Sequence, residues 1–290
     1  MKELVILSGK GGTGKTSISA SFAVLSGQSV IADCDVDAAD LHLVLSQHVQ
    51  EQHDFYSGHL AVIRPEDCID CGICIAPCRF GGVIEVDKVV TGASYAIDSV
   101  ACEGCGVCVL VCPTKAIDFP ERRCGIWMRS ETRCGPMVHA QLGVAAENSG
   151  KLVTHVRTEA RRIAEQQSRD LIIIDGPPGI GCSAIASITG TSLALIITEP
   201  TVSGKHDLER VLALTRHFGV ASAVCINKWD LNPAMTEQIE NRSLQLGARL
   251  AGRVRYDRSV TLAQMQGLAV VETDAPSSED IRSIWKRLEL

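Results

Sequence analysis

The stretch Ser8-Gly9-Lys10-Gly11-Gly12-Thr13-Gly14-Lys15-Thr16 constrains this chain more than any other. It follows an apolar run, Leu4 to Leu7, and meets the phosphate-loop pattern G-x-x-x-x-G-K-[ST] at Gly9, Gly14, Lys15 and Thr16. Glycines let backbone N–H groups converge on phosphate oxygens with no Cβ in the way. Lys15 is expected to neutralise the β and γ phosphates, and Thr16 to hold Mg²⁺. A helix from about Gly14 to Leu25, with Ser17 in its first turn, would aim its positive end at the same anion.

Strands ending in acidic residues extend this site. Ser29 to Ala32 reads as a short strand running into Asp33-Cys34-Asp35-Val36-Asp37, and open α/β sheets bind ligand at the C-terminal ends of their strands. Asp33 and Asp35 are thus placed to reach Mg²⁺ or to orient an attacking water, while Asp37 suits a helix cap. Asp170 to Ile174 leads into Asp175-Gly176-Pro177-Pro178-Gly179, a Walker B position. There Asp175 is expected to bind Mg²⁺ through water, and the loop to report on the γ-phosphate. Leu193 to Thr198 and Ala223 to Ile226 supply further buried strands. The second ends at Asn227, whose amide can pair with the edge of adenine. Helical stretches at Lys205 to Phe218, Ala234 to Leu246 and Ser259 to Gln266 alternate with these strands. The alternation predicts an α/β fold, a parallel sheet with helices on both faces.

Cysteine spacing adds a second constraint. Cys68-x2-Cys71-x2-Cys74-x3-Cys78 is followed by Cys102-x2-Cys105-x2-Cys108-x3-Cys112-Pro113, the bacterial two-cluster ferredoxin spacing written twice. Three thiolates close around one cluster while the fourth crosses to the other half. The expected sets are Cys68, Cys71, Cys74 and Cys112 for one 4Fe-4S cluster, and Cys78, Cys102, Cys105 and Cys108 for the second. Gly72 and Gly106 leave room and offer N–H donors to sulfur. Arg79 stands where the second repeat has its proline. Residues 60–118 are therefore expected as an inserted α+β ferredoxin-like domain, interrupting an ATPase domain formed by 1–59 and 119–290.

Other features are less informative. His42, His48, His53 and His59 match no compact metal spacing and read as solvated loop histidines. Phe119 to Met137 reads as a hairpin or extended arm carrying Cys124 and Cys134, either as unligated thiols or as an accessible pair for a transient cluster or metal. Asn148-Ser149-Gly150-Lys151 opens a helix, and Ser278 to Leu290 has the apolar spacing of a packed terminal helix. The net charge of -6 and aromatic content of 4% argue against nucleic-acid binding. Lys2 and Glu3 lead straight into the first strand with no signal peptide, and no apolar run approaches the ~20 residues needed for stable membrane insertion. A cytoplasmic protein is expected, in which clustered cysteines bind metal.

Together the Gly9 to Thr16 loop, the Asp33 loop, Asp175-Gly-Pro-Pro-Gly and Asn227 resemble the MinD/ParA/Mrp group of P-loop ATPases, which includes members with an inserted ferredoxin domain. Lys10 matches the extra signature lysine of that group. The resemblance implies that Lys10 acts in trans across a nucleotide-sandwich dimer, on the partner's phosphates. It implies catalytic roles for Lys10, Lys15 and Asp35, with Asp35 at the attacking water, and a Mg²⁺ site at Thr16, Asp33 and Asp175. The nucleotide set is then Gly9, Lys10, Gly11, Gly12, Thr13, Gly14, Lys15, Thr16, Ser17 and Asn227. Arg255-Tyr256-Asp257 departs from the Pro-containing loop of relatives. The nitrogenase iron protein is similar too, and Cys182 falls at the distance from Asp175 of its interface cluster ligand. Cys182 is thus either an interface or transient-cluster ligand or a core cysteine at a helix start.

The cofactors implied are ATP or ADP, Mg²⁺ and two 4Fe-4S clusters. The partners are a second copy or a related ATPase, and a redox or cluster acceptor protein. The expected activity is ATP hydrolysis coupled to iron-sulfur or metal-cluster assembly and transfer. The alternatives are an ATP-gated low-potential electron carrier and a MinD-like positional regulator.

Overall fold

The run Lys2–Ser8 (β1) is buried from Glu3 onward; Leu4 to Leu7 form the unbroken apolar stretch of a central strand covered on both faces, while Glu3 is buried against Arg157 and Arg161. The computed structural model describes residues 1–143, 146 and 149–289, so the expected helix-opening Asn148 lies outside the described residues. After β1 come α1 (Lys15–Ser26), β2 (Val30–Asp33), α2 (Leu41–Leu45) and β3 (His48–His59). The middle of the chain holds β4 (Val62–Ile63), β5 (Val83–Glu85), α3 (Lys88–Thr91), β6 (Tyr95–Ile97), α4 (Val107–Val111) and β7 (Ile117–Asp118). Next are β8 (Glu121–Thr132), β9 (Gly135–Leu142), α5 (Ser149–Gln166), β10 (Leu171–Pro178), α6 (Cys182–Ile188) and β11 (Leu193–Thr198). Then α7 (Val202–His217), β12 (Ser222–Asn227), α8 (Pro233–Gln245), β13 (Arg249–Val254), α9 (Ser259–Met265) and α10 (Pro276–Leu288) complete the order.

The chain divides into two compact units, one of Met1–His53, Ile126–Leu142 and Ser149–Leu290, the other of Asp54–Gly125 and Gly143–Asn148. The large sheet runs β13-β12-β11-β1-β10-β2-β9-β8-β3. Neighbours from β13 to β9 are parallel. Only Arg133 and Cys134 separate β8 from β9, and a link that short forces an antiparallel pair. The sheet is therefore mixed at this edge rather than parallel throughout. The hairpin expected between Phe119 and Met137 is thus longer and belongs to the sheet, with Met137 of β9 beside Ile31 of β2. Cys124 and Cys134 are each buried, 1% and 6% exposed, so they do not form an accessible pair.

Two other expectations change. His48, His53 and His59 lie on a strand, β3, not in loops. They are exposed, with His53 stacked on Trp127 at 4.6 Å and His59 on Phe119 at 4.7 Å. The helix after the phosphate loop begins at Lys15 and leaves Gly14 outside as its N-cap, at φ 90°, a left-handed conformation that glycine tolerates. Phe22 of α1 meets Trp285 of α10 at 4.9 Å, and Ile281, Ile284 and Leu288 are buried, so the terminal helix is part of the core.

The smaller unit contains two antiparallel pairs, β4 with β7 and β5 with β6. Its loops repeat: Asp70 and Gly104, each two residues after the first cysteine of its motif, both take positive φ, 56° and 64°.

Candidate nucleotide site and cysteine cavities

β1, β10 and β2 end side by side, with Asp175 as the Cα partner of both Ile6 and Asp33. This register gathers the expected Mg²⁺ residues. Asp175 Oδ1 accepts from Lys15 Nζ at 3.1 Å and from Ser19 Oγ at 2.7 Å, while its Oδ2 accepts from Thr16 Oγ1 at 3.0 Å. Lys15 Nζ also reaches Asp35 Oδ2 at 3.2 Å. Burial pulls the Lys15 ammonium down, but the charges of Asp175, Asp35 and Asp33 outweigh it and hold its pKa above the usual value. Burial and then the neighbouring Asp175 push Asp33 well above the carboxylate range. Burial, more than the opposing Lys15 charge, raises Asp35.

A site crowded with carboxylates and holding one ammonium is built to receive further positive charge. Asp33 Oδ2 and Thr13 Oγ1 are buried without hydrogen-bond partners, a cost relieved by a Mg²⁺-bound water or a phosphate oxygen. The donor set thus fits Mg²⁺-nucleotide. Thr16, Asp33 and Asp175 would hold the ion, and the Gly11 to Ser17 amides the phosphates. Ser19, one helical turn after Lys15 and so on the same face, was missed by sequence reasoning.

The cleft over these residues measures about 470 Å³ and is also lined by Asp37, Pro177 and Ser183. It shares Gly12, Gly14, Ser17 and Gln264 with a neighbouring cavity of about 230 Å³ reaching Asn227 and Tyr256. The pair falls in the size range of small-molecule sites. Asn227 Nδ2 donates to Thr13 O at 2.7 Å, and a Cβ on Gly14 would stand 2.3 Å from that nitrogen. Gly14 is thus fixed by this contact as well as by its φ. Asn227 ties the end of β12 to the phosphate loop, and its Oδ1 accepts from Lys228 N at 3.0 Å.

Gly9 packs against α7, where a Cβ would lie 2.4 Å from Asp207 Cβ. Beside it Lys10 turns back within its own chain, 3.4 Å from Glu199 Oε2 and 3.3 Å from Ser203 Oγ. The other oxygen of Glu199 pairs with Lys228 Nζ at 2.5 Å. The sequence contains no periodic signal that would have revealed Glu199.

In the smaller unit the thiols sort into two groups. Cys68, Cys71, Cys74 and Cys112 line one cavity, together with Ile63 and Tyr95. Cys78, Cys102, Cys105 and Cys108 line a second, together with Phe80 and Val107. All are free thiols. Burial raises Cys78, but N–H groups of Phe80, Val83, Gly82 and Gly81 outweigh it and lower its pKa. Cys112 is likewise lowered despite burial, by N–H groups of Ala116, Thr114 and Lys115 and the Thr114 hydroxyl. No group of three or more His, Cys, Asp or Glu among the described residues converges on a single ion position; the thiols surround a space instead.

Cys182 is exposed and is the first residue of α6. A Cβ on Gly150 would lie 3.2 Å from its Cβ, so the starts of α5 and α6 meet. This placement is not in the core.

A parallel sheet, a glycine loop between β1 and α1, and carboxylates at the ends of β2 and β10 define a P-loop nucleotide-binding protein. Residues 4–270 match the family described as CobQ/CobB/MinD/ParA nucleotide binding domain, and the chain belongs to that family. It is a P-loop ATPase of the MinD/ParA kind. The chain is similar to the uncharacterized protein MJ0578 of Methanocaldococcus jannaschii, 29% identical over 290 residues, 99% of this chain and 96% of that one. A 70-residue stretch is 35% identical to pyruvate synthase subunit PorD of Thermotoga maritima, covering 23% of this chain and 67% of that protein. Among solved structures, the septum site-determining protein MinD complexed with Mg-ADP from Pyrococcus horikoshii has the same fold. The TM-score is 0.56 and identity 16%, over 99% of this chain and 96% of that one.

Proposed function

We propose that this ATPase uses its nucleotide switch to control two 4Fe-4S clusters held by the smaller unit. The observation that carries the reading is the partition of the eight motif thiols into two cavities with three-plus-one ligand sets. Amide groups aimed at Cys78 and Cys112 suit thiolates bound to a cluster. When bound, such clusters supply one-electron transfer at low potential. Cys71 and Cys105 are exposed, so one ligand of each set reaches the surface, where an acceptor protein can approach.

Two uses of the switch are open to this arrangement. In the first, hydrolysis drives assembly or handover of a cluster to the acceptor. In the second, it gates electrons, a reading supported by likeness over 70 residues to a pyruvate synthase subunit. The N–H groups at Cys78 and Cys112 favour retained clusters, and so the electron reading. A purely positional, MinD-like role leaves the cysteine cavities unexplained. The nucleotide unit works as a dimer of two copies, or of this chain with a related ATPase, in which Lys10 leaves Glu199 for the partner's phosphates. Free thiols throughout suit the reducing cytoplasm.

The test is anaerobic reconstitution with iron and sulfide, followed by parallel assays of iron transfer and electron transfer with and without ATP. About eight irons and about eight sulfides per chain are expected, with Cys71→Ser retaining about half. ATP-dependent electron delivery with iron retained supports gating, and ATP-dependent iron loss to an apo-acceptor supports handover. A chain that takes up no iron overturns the proposal.

A further inference from the structure

Asp70 lies two residues after the first thiol of the first set and takes a left-handed backbone, φ 56°, uncommon for residues other than glycine and best tolerated by aspartate and asparagine. The matching place in the second repeat is Gly104, φ 64°, where a Cβ would stand 2.3 Å from His59 O. Packing therefore forbids a side chain in the second repeat, whereas the first carries a carboxylate at a cost to its backbone. Strain kept in one of two matching loops points to a task for the side chain. We propose that the Asp70 carboxylate lowers the reduction potential of the cluster held by Cys68, Cys71, Cys74 and Cys112 and leaves the other unmoved, a role that rests on the cluster reading of this unit.

The carboxylate is held against the ligand. Its Oδ1 lies 3.8 Å from Cys68 Sγ and accepts from Ser94 N at 2.7 Å, while Lys88 Nζ pairs with Oδ2. Ser94 and Lys88 both belong to the turn between β5 and β6, so that turn fixes where the charge sits. A thiolate bound to a cluster has no S–H to share, and Asp70 then faces sulfur with its charge alone. Reduction adds an electron to an already negative group, and a carboxylate at this distance opposes the gain. The Lys88 ammonium offsets part of this, but it pairs with the other oxygen and its side chain is 61% exposed against 19% for Asp70, so water screens it more. In the second set the charge near the corresponding ligand has the other sign, since Arg122 Nη1 donates to Cys102 O at 3.4 Å. Glu103 lines the second cavity but is exposed and screened. A mere brace for the turn would need the bonds to Ser94 and Lys88 but not the charge. Asp70→Asn separates the two roles, because an amide oxygen still accepts from Ser94 N and asparagine tolerates the same backbone.

The test is anaerobic reconstitution of the full-length chain with iron and sulfide, an iron count, and potentiometric titration followed by electron paramagnetic resonance. Cys71→Ser and Cys105→Ser, each lacking one ligand of one set, assign the two signals. Asp70→Asn should ease reduction of the first cluster by about three- to tenfold in its equilibrium constant, a rise of about 30 to 60 mV for one electron, with the second unmoved. Lys88→Met, which removes the offsetting charge, should shift the first cluster the opposite way. An unshifted first cluster in Asp70→Asn overturns the proposal, and so does an equal shift of both clusters. Shifts of the same sign in Asp70→Asn and Lys88→Met would assign the effect to a loosened turn and overturn it too. Iron lost from Asp70→Asn but not from wild type makes Asp70 a brace for the loop, against the proposal. A wild-type chain that takes up no iron overturns the cluster reading itself.

Discussion

Lys15 shows how a single side chain offsets a group of buried carboxylates. Its ammonium lies between Asp35 and Asp175, and a buried carboxylate group without a cation would be costly. Mg²⁺, if held at Thr16, Asp33 and Asp175, would supply positive charge to the same carboxylates and leave Lys15 available to phosphate. Asp33, Asp35, Asp175 and Lys15 were legible in the sequence because each closes a strand or loop of recognisable pattern. Ser19 was not, since a serine inside a helix carries no sign of what it faces. The same is true of His139, which is 3% exposed beside β2 and pairs through Nε2 with Ser130 Oγ at 2.9 Å. Burial first, and His42 second, lowers its pKa from 6.5 to about 4. A histidine depressed in the folded state binds fewer protons there than in the unfolded chain between those values. Its stabilising contribution is therefore full above pH 6.5 and is lost as pH falls towards about 4. The loss amounts to roughly 3 kcal/mol. Chemical denaturation of wild type and His139→Gln at several pH values checks this. The variant should lose less stability than wild type between pH 6.5 and 4, and equal slopes would remove His139 as the cause.

At the scale of elements, the junction of β11 with α7 holds the Lys10 side chain. Glu199 follows the last residue of β11, and its two oxygens engage Lys10 and Lys228. Lys228 also donates to Gly12 O at 3.4 Å, so the same carboxylate braces the phosphate loop. If Lys10 serves the partner's phosphates, its ion pair with Glu199 opposes dimer closure. Glu199→Gln should weaken that hold and lower the protein concentration at which ATP hydrolysis per chain reaches half its maximum, by up to about fivefold. This is the effect of a partly exposed ion pair worth up to about 1 kcal/mol. Wild-type turnover independent of concentration would refute the dimer, whereas a concentration dependence unmoved by Glu199→Gln would refute the latch alone. The buried strands of this sheet were readable because parallel strands covered on both faces are continuous apolar runs. β3 was not readable. His48 to Tyr56 alternate no apolar face, and all but Phe55 in that span are exposed. Its place is fixed partly by ion pairs such as Arg129 to Glu51 at 2.9 Å, which only the folded chain brings together.

For the whole molecule, the insertion point matters more than the insert's size. The chain leaves the nucleotide unit within β3, after α2, and returns within β8; β9, the next strand, lies directly beside β2 with His139 opposite Asp33. The crossings themselves fall within β3, after His53, within β8, before Ile126, and at either end of 143–148. The cysteine repeats fall in the second compact unit, and their spacing drew attention to that part of the chain because it is a local pattern. The structural boundaries of that unit, at Asp54 and Gly125 rather than 60 and 118, were not legible, because β3 and β8 carry no sign of where one unit gives way to the next. If the nucleotide switch controls the clusters, their reduction potentials must depend on what the phosphate loop holds, because a ligand can shift an equilibrium only through a difference in affinity between states. By linkage, reduction must then change nucleotide affinity by the same factor. Anaerobic potentiometric titration by electron paramagnetic resonance, without nucleotide, with Mg-ADP and with a non-hydrolysable ATP analogue, measures the first effect. Calorimetry on oxidised and reduced protein measures the second. Wild type should show matching shifts in both, and Lys15→Ala should show neither because its phosphate contact is gone. Potentials identical in all three nucleotide states would leave the two units functionally independent, and the proposed coupling would fail even with both clusters in place.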